Sequence, residues 1–237
     1  MKLLSHLNPP SAVIADFFGT LVEIDCDRPM MWELLSELGY ESNLQTEKIF
    51  NTHGFDGMKF PFDESIIDYS EQRRVLIEAY CRFHSVDPKK IPEIVGLLLE
   101  NDTKWTVKAR PGAELLVNVC NQKNLPFVIC SNWDYPLESY LQQSCLPSDL
   151  KSVVSCDFGV RKPSPEIFAS AYRRTGIKSE VGSMWYIGDN WDADICGAIR
   201  YGFTPIMTGS DENFARKHVV GPVPLNDIAK AILETNR

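Results

Sequence analysis

The sequence predicts an α/β protein, a doubly wound parallel sheet interrupted by an inserted α-helical block. Three observations carry that expectation. Short apolar runs, too brief for helices, each end abruptly at Asp, Ser or Gly, as strands buried on both faces of a parallel sheet do. Helical periods separate these runs from about residue 109 to the end, and such alternation makes a sheet covered on both faces. Between residues 24 and 108 the alternation stops, and only helical patterns with their punctuation remain.

The first run, residues 11–15, stops at Asp16 and breaks at Gly19. In the block that follows, Asp27 can cap a helix with Pro29 in its first turn. Met31, Leu34, Leu35 and Leu38 lie on one side of it, and Gly39 stops it. Residues 50–61, rich in Gly, Asn and Phe, read as a loop. Residues 71–84 place Val75, Leu76, Ala79, Tyr80 and Phe83 at helical spacing, the strongest amphipathic pattern in the chain; residues 92–100 form another helix. Pro111-Gly112 opens a helix carrying Leu115, Leu116, Val119 and Cys120. Residues 125–130 are a second strand running into Ser131-Asn132, and residues 152–155 a weaker third. Pro165 opens a helix closed by Gly176, and residues 184–187 are a fourth strand running into Gly188-Asp189. The expected organisation is a discontinuous sheet domain, 1–23 and 109–237, with a helical domain at 24–108.

A chain of 237 residues, 44% hydrophobic and 24% charged, can bury a core and is neither disordered nor fibrous. Its 24 Lys and Arg against 32 Asp and Glu give a net charge of -8. That sign opposes the phosphate neutralisation on which nucleic-acid affinity rests, so no nucleic-acid partner is expected. The seven cysteines are scattered and contain no Cys-x-x-Cys pair, which argues against a zinc cluster or a disulfide framework. The apolar run in residues 1–8 is too short for a signal peptide, and no run reaches the roughly 18 residues that span a bilayer. A cytoplasmic monomer or homodimer with a small-molecule substrate and no membrane partner is expected.

In open parallel sheets, ligands bind beyond the carboxyl ends of the strands. Asp16 follows the first strand, Ser131 and Asn132 the second, and Asp189 the fourth; Lys162 lies in the loop ahead of the helix opened by Pro165. These groups are expected to converge on one small volume.

With those residues in that order, the sequence resembles the haloacid dehalogenase-like (HAD) hydrolases over nearly the whole core. Asp16-Phe17-Phe18-Gly19-Thr20-Leu21 is similar to motif I and Cys130-Ser131-Asn132 to motif II. Lys162-Pro163-Ser164-Pro165-Glu166-Ile167-Phe168 is similar to motif III, and Gly188-Asp189-Asn190-Trp191-Asp192-Ala193-Asp194 to motif IV. The helical block resembles the C1-type cap of that superfamily. The resemblance implies a Rossmann-like core and a hydrolase in which Asp16 is the nucleophile, forming an aspartyl ester that water hydrolyses. Lys162 would hold Asp16 ionised. Ser131, with Thr20 and backbone amides, would bond a phosphoryl or carboxylate oxygen. Phe18, Gly19, Asn132 and Arg28 would contact substrate. Asp16, the Phe18 backbone carbonyl and Asp189 would hold Mg²⁺ through hard oxygens, and Asp194 would orient that shell, with Asp192 as the alternative.

One position departs from the family. Its phosphatases carry a second aspartate two residues after the nucleophile, which protonates the leaving group; here that residue is Phe18, and loss of such a group costs about 10²- to 10⁴-fold in rate. L-2-haloacid dehalogenases have Tyr there, since halide leaves unprotonated, but they resemble Ser-Ser-Asn-x-Trp-Asp where this chain has Asp189. Phosphonoacetaldehyde hydrolases have Ala there and rely on a cap lysine, and the early helical block has none before Lys48. The expected function is Mg²⁺-dependent hydrolysis of a small phosphorylated metabolite whose leaving group is good or protonates itself. The alternatives are dehalogenase-like hydrolysis of a C–halogen bond, and an impaired member that binds a phospho-ligand or a partner without turnover. An anionic substrate would be drawn by Lys162, the cation and backbone amides, since the overall field repels it.

In the helical block, Arg28 and Lys59 are the candidate anion contacts, and Trp32, Phe55, Phe60 and Phe62 the candidate apolar pocket. Arg73 and Arg74 are expected on a solvent face. Trp133 and Trp191 are expected to pack around the crevice, and His6, His53, His84 and His218 show no ligand spacing.

Overall fold

Runs rich in Val and Ile, buried along their length, pair as parallel strands. In the structure, a computed structural model that describes residues 4–25, 29–53, 69–102, 104–133, 136–208 and 219–235, five strands do so. The strands in chain order are β1 Ala12–Ala15, β2 Val22–Ile24, β3 Val107–Ala109, β4 Phe127–Ser131, β5 Lys151–Val154, β6 Met184–Gly188 and β7 Thr204–Met207. The helices are α1 Met31–Glu37, α2 Leu44–His53, α3 Tyr69–Phe83, α4 Ile91–Asp102, α5 Ala113–Gln122, α6 Glu138–Gln143, α7 Ser155–Phe158, α8 Pro165–Thr175, α9 Gly197–Tyr201 and α10 Leu225–Glu234. The chain forms two compact units, Met1–Ile24 with Val107–Arg237, and Asp25–Thr106.

In the first unit the parallel sheet has the order β5-β4-β1-β6-β7. Strand β1 pairs on one side with β4 (Ala15 beside Ile129) and on the other with β6 (Ala15 beside Ile187). The chain therefore builds outward from β1 in one direction through β4 and β5, then returns to add β6 and β7 on the other. The switch point lies between β1 and β6, where a crevice opens at the carboxyl ends of the strands. One face of the sheet offers Ala12, Ile14, Val128, Cys130, Met184 and Tyr186, which pack with Ile167, Phe168 and Ala171 of α8 and Ala198 of α9. Burial of each large apolar side chain in such a layer contributes about 1.5–3 kcal/mol.

Three strands escaped the sequence. Strand β7 carries Pro205, which lacks a donor for the ladder and fits only an edge position, and β7 is the outermost strand on its side. Strands β2 and β3 pair antiparallel, Glu23 beside Lys108, at the boundary where no strand was expected. Three residues are too few to display a period.

In the second unit, Leu35 of α1, Phe50 of α2, Leu76, Ile77, Tyr80 and Cys81 of α3, and Ile91, Ile94, Val95 and Leu98 of α4 form one apolar core. Helix α1 starts at Met31 rather than within a turn begun by Pro29; the Glu33 carboxylate accepts from the Met30 N–H at 2.6 Å, satisfying a donor at the helix start. Phe50, expected in a loop, is a buried residue of α2, its ring 4.8 Å from that of Tyr80. Arg73, expected on a solvent face, has only 11% of its side chain exposed and grips Asp102 bidentately at 2.5 and 3.1 Å, where Trp105 Nε1 also donates to Asp102 Oδ1 at 3.2 Å. Arg74 is partly exposed and pairs with Glu71 and Glu78. Asp27, Arg28, Phe55, Lys59, Phe60 and Phe62 lie outside the described residues. Among the described residues, no helix is long and apolar enough to cross a membrane.

Candidate active site

The crevice gathers its polar groups from strand ends. Asp16 is the residue after β1, its N–H still bonded to the Ile187 carbonyl at 2.9 Å. Ser131 is the last residue of β4, and Asp189 follows Gly188 at the end of β6. A wide π-helical turn, Trp191–Cys196, comes next. The Asn190 side chain caps it by accepting from the Ala193 N–H at 2.9 Å, and the turn carries Asp194 back over the end of β6. Only glycine fits at 188, because a Cβ there would run into the Asp194 side chain. Lys162 arrives from the loop after α7, which Gly159 ends in the left-handed conformation at φ 66°.

Lys162 is the hub. Its Nζ donates to Asp16 Oδ1 at 2.6 Å, Asp194 Oδ1 at 2.7 Å and the Cys130 carbonyl at 2.8 Å, so all three ammonium protons are engaged. Asp194, 1% exposed, is further held by the Tyr186 hydroxyl at 3.0 Å and by the Asn190 N–H, which donates to its Oδ2 at 3.0 Å. Asn132, expected to touch substrate, bonds with both ends of its amide to the Lys162 backbone: Nδ2 donates to the carbonyl at 3.0 Å, and Oδ1 accepts from the N–H at 2.7 Å. It positions the lysine.

Burial favours the neutral form of Lys162, but Asp16 and Asp194 overcome it and hold its pKa well above the ordinary lysine value. Burial also pushes the Asp16 carboxyl up, to about 8, against the opposing pull of Lys162; Asp194 and Asp189 add to the push. The two tendencies oppose each other within one contact. We read it as an ion pair, because a buried ammonium at 2.6 Å is stabilised by a charged partner and not by a neutral one. The Asp189 carboxyl is likewise raised, by burial first and then by Asp194, with the Thr20 hydroxyl opposing through a 3.1 Å bond to Oδ1. Burial raises the Cys130 thiol to about 12, which leaves it inert beside Asp16.

Three carboxylates, Asp16, Asp189 and Asp194, bring oxygens within 4.8 Å of one another against the single ammonium of Lys162. That excess of buried negative charge, on hard oxygen donors, fits a divalent cation. Asp194 already bonds through both oxygens, so Asp16 and Asp189 are the carboxylates best placed to hold it. Gly19, at φ +84°, makes room for Asp189, since a Cβ there would collide with that carboxylate. Ser131 Oγ is 1% exposed and has no hydrogen-bond partner among the described residues.

Phe18, two residues after Asp16, is half-buried and faces the half-buried Trp133, ring centroids 3.8 Å apart at 26°. Tyr140 meets both edge-on, at 5.5 Å from Phe18 and 5.9 Å from Trp133. Trp133 thus packs at the crevice, as expected. Two residues went unread in the sequence. Arg110 bonds the Gly19 carbonyl through its guanidinium and the Leu21 carbonyl through its N–H at 2.8 Å, clamping the turn after Asp16; the Pro111-Gly112 beside it reads only as a helix start. Tyr186 lies inside an apolar strand, where nothing in the sequence marks its hydroxyl as a partner for Asp194. Asp192, the alternative to Asp194, is exposed in the turn. Arg28 is outside the described residues.

A family model described as HAD-hydrolase-like matches residues 159–231. Over 178 residues the chain is 46% identical to the glyceraldehyde 3-phosphate phosphatase of Methanopyrus kandleri, covering 72% of this chain and 70% of that protein. It is 29% identical over 120 residues to the haloacid dehalogenase-like hydrolase domain-containing protein 3 of Bos taurus, covering 50% of this chain and 43% of that protein. Among solved structures, a HAD-superfamily hydrolase from Ehrlichia chaffeensis aligns over 95% of this chain and 97% of its own, with a TM-score of 0.58 and 23% identity, a likeness of fold.

Proposed function

Because the chain belongs to the haloacid dehalogenase-like (HAD) hydrolases, we propose that it hydrolyses a small phosphorylated metabolite with Asp16 as nucleophile and Mg²⁺ as cofactor. The observation that carries this reading is Lys162 Nζ at 2.6 Å from Asp16 Oδ1, with Asp189 close by. The similarity to a glyceraldehyde 3-phosphate phosphatase favours a phosphate ester over a haloacid. In this reading the helical unit, Asp25–Thr106, serves as the substrate selector.

Lys162 keeps Asp16 ionised, and the free Asp16 oxygen attacks phosphorus while the leaving oxygen departs. The unpartnered Ser131 hydroxyl donates to a phosphoryl oxygen, an interaction ready before substrate arrives. Asp194, Tyr186 and Asn132 fix the lysine in place. Asp16, Asp189 and the Phe18 carbonyl would hold Mg²⁺, which when bound supplies neutralisation of phosphoryl charge. Water then cleaves the aspartyl phosphate and restores Asp16. Phe18 cannot protonate the leaving oxygen, so the substrate is one whose leaving group is good or carries its own proton.

Purified protein assayed with Mg²⁺ on a broad panel of phosphate esters and acyl phosphates tests this. Phosphate release that requires Mg²⁺ and is abolished by Asp16→Asn is the expected result. Halide release from 2-haloacids, without turnover of any phosphate compound, would contradict it and favour C–halogen hydrolysis.

A further inference from the structure

Phe18 and Trp133 stand at the carboxyl ends of neighbouring strands, two residues beyond Asp16 and Ser131 respectively. Their rings are stacked at 3.8 Å, Tyr140 braces them edge-on, and both remain half-buried. The Trp133 backbone is fixed on both sides by one residue: its N–H donates to Ser155 Oγ at 2.9 Å, and Ser155 Oγ donates to its carbonyl at 2.9 Å. The Cys156 N–H bonds the same carbonyl at 3.1 Å. The backbone that carries the indole is thus fixed, and the ring stacks on Phe18, two residues from the nucleophile, to make an aromatic wall.

The same wall has a chemical consequence. Its described residues, Phe18, Trp133 and Tyr140, include no carboxyl and no imidazole, while Lys162 already bonds Asp16 and Asp194, and Asp189 accepts from the Thr20 hydroxyl. None of the three side chains of the wall is a strong acid that could protonate a leaving oxygen. A leaving group stable as an anion needs no such proton, and a phenolate meets that condition where an alkoxide does not. A phenolic leaving group is also a flat ring, which aromatic faces bind well. Stability of the anion and shape of the wall thus select the same group.

Resting on the phosphohydrolase reading above, we propose that the site is specific for aryl phosphate monoesters, with the Phe18–Trp133 wall as the subsite for the aryl leaving group. The carboxylate of Asp16 attacks phosphorus, and the P–O(aryl) bond breaks with its electron pair passing to the phenolate. Water then attacks the phosphorus of the aspartyl phosphate, releasing carboxylate and phosphate. The proton that the water loses balances the one the phenolate takes up, so no other reactant is required.

The test compares phenyl phosphate with hexafluoroisopropyl phosphate, whose leaving alcohol is of similar acidity but is not aromatic, in the full chain with Mg²⁺. The expected kcat/KM for phenyl phosphate is about ten-fold the higher, the size of a stacking preference. Trp133→Leu should bring the ratio of the two substrates near one, and Trp133→Phe should keep most of it. Thermal unfolding of both variants establishes that they fold. A ratio near one in the wild type, or a ratio that Trp133→Leu leaves intact, overturns the aryl subsite while phosphate release still upholds the hydrolase. Turnover of neither compound overturns both.

Discussion

Lys162 Nζ lies 2.7 Å from Asp194 Oδ1, both side chains almost wholly buried, and the same nitrogen lies 2.6 Å from Asp16. The lysine is thus shared by one carboxylate proposed to react and one that does not. Asp194 sets where the ammonium sits, and the ammonium in turn sets the ionisation of Asp16.

Removing that cation leaves buried like charges facing one another. Lys162→Met should destabilise the fold by about 3–5 kcal/mol, the range for breaking one side of a buried pair. The double variant Lys162→Met/Asp194→Asn should recover part of the loss, because the orphaned charge is gone. Urea unfolding of wild type, both single variants and the double variant yields the coupling directly.

Ser131 offers the opposite combination. Its hydroxyl is buried and bonds nothing among the described residues, so Ser131→Ala should leave the unfolding midpoint unchanged or slightly raised. If the hydroxyl serves a phosphoryl oxygen, the same change should lower kcat by about 10²- to 10³-fold, as loss of one preorganised donor does. Calorimetry and steady-state kinetics on one preparation read both quantities.

Metal binding should appear as stability. Mg²⁺ at a hundred times its Kd should add about 2.7 kcal/mol to the native state, an upward shift of the thermal midpoint that chelator reverses. Asp189→Asn should abolish the shift, and so should Gly19→Ala, whose Cβ would push into the Asp189 carboxylate. A midpoint indifferent to Mg²⁺ would count against the cation.

Phe18→Asp places a carboxyl on the leaving-group side. It should raise the rate on alkyl phosphates by up to about 10²- to 10⁴-fold while changing aryl phosphates little, since only a poor leaving group needs a proton. A plot of log kcat/KM against leaving-group acidity should be steep in the wild type and flatter in the variant.

The readable part of this protein was the part that repeats a physical rule locally. Buried parallel strands are continuous apolar runs, so β1, β4 and β6, and with them Asp16, Ser131 and Asp189, stood out in the sequence. What stayed hidden depends on partners distant in the chain. Arg73 and Asp102 lie on different helices, 29 residues apart, so no helical spacing links them. Asn132 carries the chemistry of a substrate contact, yet it faces the Lys162 backbone 30 residues on. Arg110 clamps Gly19 from 91 residues away. Strand β7 carries Pro205, which a ladder tolerates only at an edge, and its edge position depends on pairing with β6 rather than on its own residues.

In the proposed reaction Asp16 itself takes the phosphoryl group. Phe18 offers no base to activate water, so breakdown of the aspartyl phosphate should be slow relative to its formation from a good leaving group, and the intermediate should accumulate. Wild-type protein mixed with Mg²⁺ and phenyl phosphate, quenched in acid within one turnover and analysed by mass spectrometry, should gain the mass of one phosphoryl group. Peptide mapping should place that group on Asp16, and Asp16→Asn should gain none. Phosphate release with no adduct at any quench time, or an adduct mapped to another residue, would contradict a nucleophilic role for Asp16.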